Sequence, residues 1–141
     1  MRIFSIGYQR RSLGAFCDTL AAAQVQVLVD VRAAAWSQRP EFRKTAMKNA
    51  LAERGIEYVH CKAAGNPFRP RHGEALDWAA CGAKYAGHLD AHPEVLEELL
   101  PLIVGRSAAL FCYEGHRNEC HRGILLSSLE KKQLKVEIVD L

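Results

Sequence analysis

The sequence has no run approaching the ~20 consecutive apolar residues that a membrane-spanning helix requires, so a membrane partner is not expected. It has no internal repeat, no low-complexity tract and no Cys-x-x-Cys pair, which removes the commonest zinc and redox spacings. Charge of one sign is also missing. Nineteen Lys and Arg face sixteen Asp and Glu, leaving a net charge of +3. That balance suits an anionic ligand but is too small to argue for nucleic acid by itself. The opening segment Met1 to Gly7 lacks the pattern of a leader peptide and reads as a first strand. With an odd set of five cysteines, this predicts a cytoplasmic chain with free thiols.

Nothing in the 141 residues marks a linker, so residues 1–141 read as one domain. Apolar residues make up 49% of the chain. A chain of this size buries roughly two-thirds of the surface its unfolded form exposes, and global disorder is not expected.

Strand and helix signals alternate. Ile3 to Ile6 is a short strand ending at Gly7-Tyr8. Ser12 caps a helix that carries Leu13, Phe16, Cys17 and Leu20 on one face. Val25 to Val31 is an apolar, β-branched run, the pattern of a buried strand. A loop over Ala33 to Phe42 leads to a helix ending near Arg54, with Gly55 as its stop. Ile56 to His60 is a third strand, and Cys61 to Gly73 a long loop of the kind that usually has a function. Helices follow over Glu74 to Leu89 and from Pro93 to Ile103. Ser107 to Cys112 is a fourth strand, Cys120 to Lys132 a helix, and Val136 to Val139 a last strand. Five strands separated by helices predict an α/β fold, a mostly parallel five-stranded sheet with helices on both faces.

In such sheets ligands bind beyond the carboxyl ends of the strands. That rule selects Gly7-Tyr8, Asp30 with Arg32, His60, and Cys112 to Glu114. Basic clusters stand in or beside the loops: Arg10 with Arg11, Arg39 with Arg43 and Lys44, Arg69 with Arg71, and Arg117 with Arg122.

The segment Phe111 to Arg122 concentrates the chemistry. A strand delivers Cys112, a polar loop follows, and a helix begins near Cys120-His121-Arg122. Free N–H groups and the dipole at a helix start favour an anion or a thiolate. Cys112 or Cys120 is therefore the candidate nucleophile or ligand, and Glu114 or His121 the candidate acid/base. Asp30 completes the catalytic candidates. Arg32, Arg39, Arg117 and Arg122, with Tyr8, are the candidate substrate-binding residues. His60-Cys61 and Cys120-His121 offer soft metal ligands beside Cys112 and His116. Adjacent residues rarely share one metal, however, so neither a metal nor a cofactor is expected. The plainer alternatives are a packed strand-end cysteine and a structural Asp30–Arg32 ion pair.

Cys112, Gly115 and Arg117 satisfy the Cys-x-x-Gly-x-Arg loop of rhodaneses, and Val29 to Arg32 resembles their Asp-x-Arg strand end. The phosphatase loop needs Arg where Asn118 stands. A wider resemblance runs along the chain. Ser5-Ile6-Gly7-Tyr8 with Ser12, Leu28 to Arg32, Ser37 to Phe42, Gly55 to His60, Cys112-x-Glu114 and Cys120-His121-Arg122 occur in the order found in the family called domain of unknown function 488. Where that family often has a Leu-Gly-Gly turn, Ala63 to Pro67 stands here. The resemblance implies a fold and a site made of Tyr8, Asp30, Arg32, Arg39, Cys112, Glu114, Cys120, His121 and Arg122. It supplies no reaction.

Three functions fit these observations. The first is an enzyme acting on a small anionic or nucleotide-like substrate at a Cys/Glu/His/Arg site. The second is a rhodanese-like sulfurtransferase using Cys112. The third is a binding module for nucleic acid or nucleotides, drawing on the basic clusters and on Trp36, Phe68 and Trp78. Nothing in the sequence specifies an oligomeric state.

Overall fold

Alternating apolar strands and amphipathic helices assemble into one five-stranded sheet. The computed structural model describes residues 1–69, 77–132 and 134–141. Arg71, Gly73 and the helix start expected at Glu74 lie outside the described residues.

The strands are β1 (Arg2–Gly7), β2 (Val27–Asp30), β3 (Glu57–His60), β4 (Ala108–Cys112) and β5 (Glu137–Asp140). The helices are α1 (Leu13–Ala22), α2 (Lys44–Ala52), α3 (Trp78–Ala91), α4 (Glu94–Ile103) and α5 (His121–Lys131). Short 3-10 turns occupy Pro40–Phe42, Lys62–Ala64 and Arg117–Glu119. Each expected strand is present: β1 extends one residue further at each end, β2, β3 and β4 are shorter than expected, and β5 is shifted by one residue. The caps follow the side chains: Ser12 accepts the Ala15 N–H at 3.1 Å and Asp77 accepts that of Ala80 at 3.2 Å.

All pairings are parallel, in the order β3-β2-β4-β1-β5. The chain leaves a gap between β1 and β2, and β4 later fills it. β4 is thus central and buried along its whole length, which explains its Ala-Ala-Leu-Phe-Cys sequence.

Side chains alternate across each strand, so the sheet divides the core in two. On one face Val27, Val29, Val31, Leu110 and Cys112 pack under α3, α4 and α5. On the other, Leu28, Ile6, Tyr8 and Phe111 pack under α1 and α2. Complete burial of a Val, Leu, Ile or Phe side chain contributes about 1.5–3 kcal/mol, and most of the central-strand residues are fully buried.

The register sets Gly7 beside Cys112 and Asp30 beside Phe111. At Gly7 a Cβ would overlap the Glu114 carbonyl. Only glycine lets the turn after β4 fold back against the end of β1.

Candidate functional site

Cys112 ends β4 on the α5 side, and Cys120 is the residue before α5. The Arg117–Glu119 turn brings the two together. Their sulfurs are in bonding contact as a disulfide, while Cys17, Cys61 and Cys81 are free thiols. This corrects the expectation of five free thiols. The pairing is a product of the fold, because the turn returns the chain to the strand end it has just left. Burial raises the Cys17 and Cys61 thiols above their ordinary range, which makes them poor nucleophiles.

Arg122 lies beneath the pair and is completely buried. Its Nη1 donates to the Ile6 carbonyl at 2.8 Å and to Cys112 Sγ at 3.0 Å. Its Nη2 donates to the Glu114 carbonyl at 2.8 Å. Its Nε has no hydrogen-bond partner among the described residues. Burial lowers its pKa to about 10, so it remains a cation at neutral pH. A buried cation needs a negative partner. Its direct contacts are two carbonyl oxygens and a sulfur, with no carboxylate among them.

Cys120 caps α5: its sulfur accepts the Arg122 backbone N–H at 3.4 Å. Its sulfur thus stands at the first turn of the helix. Cys120 also lines a cleft of about 580 Å³ with Trp78, Arg117, Asn118, Lys131 and Lys132. Cys112 has no exposed surface.

His121 is buried beside the pair. Its Nε2 lies 2.6 Å from the Val31 carbonyl and its Nδ1 3.6 Å from Cys120 Sγ. A carbonyl only accepts, so Nε2 carries the proton and Nδ1 presents a lone pair to the sulfur. Burial lowers the imidazole pKa to about 4, outweighing the Val31 carbonyl. The ring is neutral at neutral pH.

Glu114 closes the other side. Its Oε2 is 3.3 Å from Cys112 Sγ and its Oε1 is 2.8 Å from Arg69 Nη2. A second cleft of about 410 Å³ opens there, lined by Gln9, Arg69, Trp78, Tyr113, Glu114 and Glu119. Arg69 and Gln9 were not selected as site residues from the sequence. Arg69 stood in a basic cluster, and nothing local tied it to a glutamate 45 positions away. Gln9 follows Tyr8 and accepts the Gly115 N–H at 3.1 Å.

The structure therefore brings together Cys112, Glu114, Cys120, His121 and Arg122. Of the other candidates, Arg117 edges the Cys120 cleft and the rest stand apart. Asp30 points to the opposite face of the sheet, where it takes three hydrogen bonds from the Arg32 guanidinium at 2.7–3.1 Å and one from the Tyr58 hydroxyl. Arg32 lies 4.9 Å over the Phe111 ring. Tyr8 is buried on that face and stacks on Phe42 at 4.4 Å. Arg39 donates to the Tyr8 and Arg11 carbonyls and pairs with Glu41. Arg117 pairs with Asp140 at 3.1 Å while also edging the Cys120 cleft. His60 Nε2 lies 2.8 Å from the Arg32 carbonyl.

No helix among the described residues is long and apolar enough to cross a membrane. The profile of the family described as "Domain of unknown function DUF488" matches residues 12–129. No curated protein matches the chain. One solved structure, from Shewanella putrefaciens CN-32 and named provisionally as a phosphatase of DUF442, is similar at 15% identity with a TM-score of 0.45. The alignment covers 92% of this chain and 64% of that one, so this chain spans less than two thirds of that protein's length. That likeness is too remote to carry a function.

Proposed function

The chain belongs to the DUF488 family, whose description assigns no reaction, and we propose that it is a dithiol enzyme acting on a small anionic substrate. Cys120 is the attacking thiol, Cys112 the resolving thiol and Glu114 the proton acceptor for Cys112. One observation carries this reading. Cys112 Sγ is 3.0 Å from a fully buried Arg122 cation, while its partner sulfur lines an open cleft edged by Arg117, Lys131 and Lys132.

The roles follow from access and charge. The Cys120 thiolate, supported by the start of α5, attacks a small anionic disulfide. A mixed disulfide forms on Cys120, and one substrate thiolate leaves. Cys112 then gives its proton to Glu114 and attacks Cys120 Sγ, expelling the second substrate thiolate and forming the Cys112–Cys120 disulfide. Two molecules of a small external thiol reverse the sequence. Their first attack falls on Cys120, the sulfur that lines the cleft, and Cys112 leaves as a thiolate beside Arg122. A leaving thiol with a lowered pKa departs faster.

The sulfurtransferase alternative needs loop amides aimed at a persulfide on Cys112. Here the Gly115, Glu119 and Cys120 amides are committed to Gln9, His116 and Arg117. Those commitments favour dithiol exchange.

The test is alkylation of reduced, chelator-treated protein by iodoacetamide at neutral pH, mapped by peptide mass. Cys120 should react at least about tenfold faster than Cys81, corresponding to about 1.4 kcal/mol. Arg122→Met should slow the closure of the disulfide from the mixed intermediate. If Cys120 reacts no faster than Cys81, the dithiol enzyme is excluded.

A further inference from the structure

We propose that the reduced pair, together with His121, is a binding site for a divalent metal of the zinc class. The proposal rests on the dithiol reading above for its reduced state and adds a regulatory form of the same site.

Three soft or borderline donors converge: Cys112 Sγ, Cys120 Sγ and a His121 ring nitrogen all lie within 4.8 Å of one another, and all three residues are buried. Cysteine thiolates with imidazole are the donor set that zinc prefers. The adjacency of Cys120 and His121 argues against shared ligation in sequence terms. The fold answers it, because Cys120 Sγ and His121 Nδ1 stand 3.6 Å apart. Two ligand atoms at ~2.0 and ~2.3 Å from one tetrahedral ion have about that separation.

The surroundings of the ligands are those of a metal site. His121 donates Nε2–H to the Val31 carbonyl at 2.6 Å. A metal-bound histidine is regularly fixed this way, with its other nitrogen hydrogen-bonded to a carbonyl or carboxylate. Both sulfurs accept N–H groups from Arg122, one from the guanidinium and one from the backbone. The Cα atoms of Cys112 and Cys120 are 7.6 Å apart, wider than the 4.4–6.8 Å usual for a disulfide. Once the bond is open, that width leaves room for a third atom between the sulfurs. Two neighbouring buried thiolates repel each other, and a divalent cation between them removes the repulsion. Glu114 Oε2, 3.3 Å from Cys112 Sγ, stands beside the site as a further oxygen donor.

The balance is simple. One divalent ion replaces the two thiol protons, and no oxidant or reductant is needed. In the metal-bound form neither thiol is free to attack a disulfide. Oxidation of the pair to the disulfide expels the ion.

Cobalt(II) added anaerobically to the reduced whole chain tests this. The expected result is saturation at one ion per chain, with sulfur-to-cobalt charge-transfer absorption that zinc displaces. Bound zinc should protect Cys120, and not Cys81, from iodoacetamide. His121→Gln should weaken binding at least tenfold. If that variant fails to fold, Cys120→Ser, which changes one atom, should do the same. Oxidised protein should bind no cobalt. Absence of the charge-transfer absorption in the reduced wild type overturns the proposal, as does undiminished absorption in Cys120→Ser. The dithiol enzyme fails separately, through slow alkylation of Cys120 in metal-free protein, whatever cobalt does.

Discussion

The two faces of the sheet carry opposite solutions to the same problem, a buried arginine at the carboxyl end of the strands. On the face under α1 and α2, Arg32 is matched by Asp30 in a bidentate pair, and Asp30 is further satisfied by Tyr58. Charge and hydrogen bonds close on each other. On the face under α3 to α5, Arg122 meets two carbonyls and a sulfur, and its Nε lacks a partner among the described residues. The first arrangement is complete. The second has no carboxylate in direct contact with the cation. A buried cation balanced by carboxylate supports a fold; in the proposed dithiol enzyme, the one facing sulfur holds a reactive group ready.

The comparison breaks most readily at Asp30. Asp30→Ala leaves the Arg32 cation buried and unpaired, and should cost about 3–5 kcal/mol in chemical denaturation. The folded fraction should keep the wild-type Cys120 alkylation rate. A loss below about 1 kcal/mol, or a slowed thiol, would contradict the division between the faces.

Tyr58→Phe removes one hydrogen bond to Asp30 and should cost about 1–2 kcal/mol. It also has a signature in pH. Burial, then the Asp30 charge, holds the Tyr58 phenol above its ordinary value of 10.0. The folded chain keeps this proton where the unfolded chain loses it. The contribution is therefore whole below pH about 10 and declines as the pH rises further. The variant should show a shallower alkaline decline in melting temperature, and an unchanged decline would remove Tyr58 from the account.

The smallest effect is expected at Arg117, which is half-buried and pairs with an exposed Asp140. Arg117→Gln should change stability by less than about 1 kcal/mol. It should weaken turnover of anionic disulfides through KM, since Arg117 edges the Cys120 cleft. An effect on kcat alone would move Arg117 into a different role.

Much of this was legible along the chain. The apolar runs located five strands, and the polar residues following them located the chemistry, because a buried parallel strand changes character where it leaves the sheet. The grouping of Cys112, Glu114, Cys120, His121 and Arg122 was legible too, since eleven residues span a strand end, a turn and a helix start. Arg69 was not, because it meets Glu114 from a loop 45 positions away in sequence.

That Asp30 and Arg32 share one side of their strand follows from the order of residues alone, since side chains two apart point the same way. That order could not determine which side of the sheet that is relative to Cys112. The phase between strands is set by register, and tertiary pairing aligned Asp30 with Phe111 instead of with Cys112. One residue of register separates a single merged constellation from the two opposed ones found here. The sequence likewise held both cysteines, but only the return of the chain from β4 into α5 brought their sulfurs together with His121 over one buried arginine.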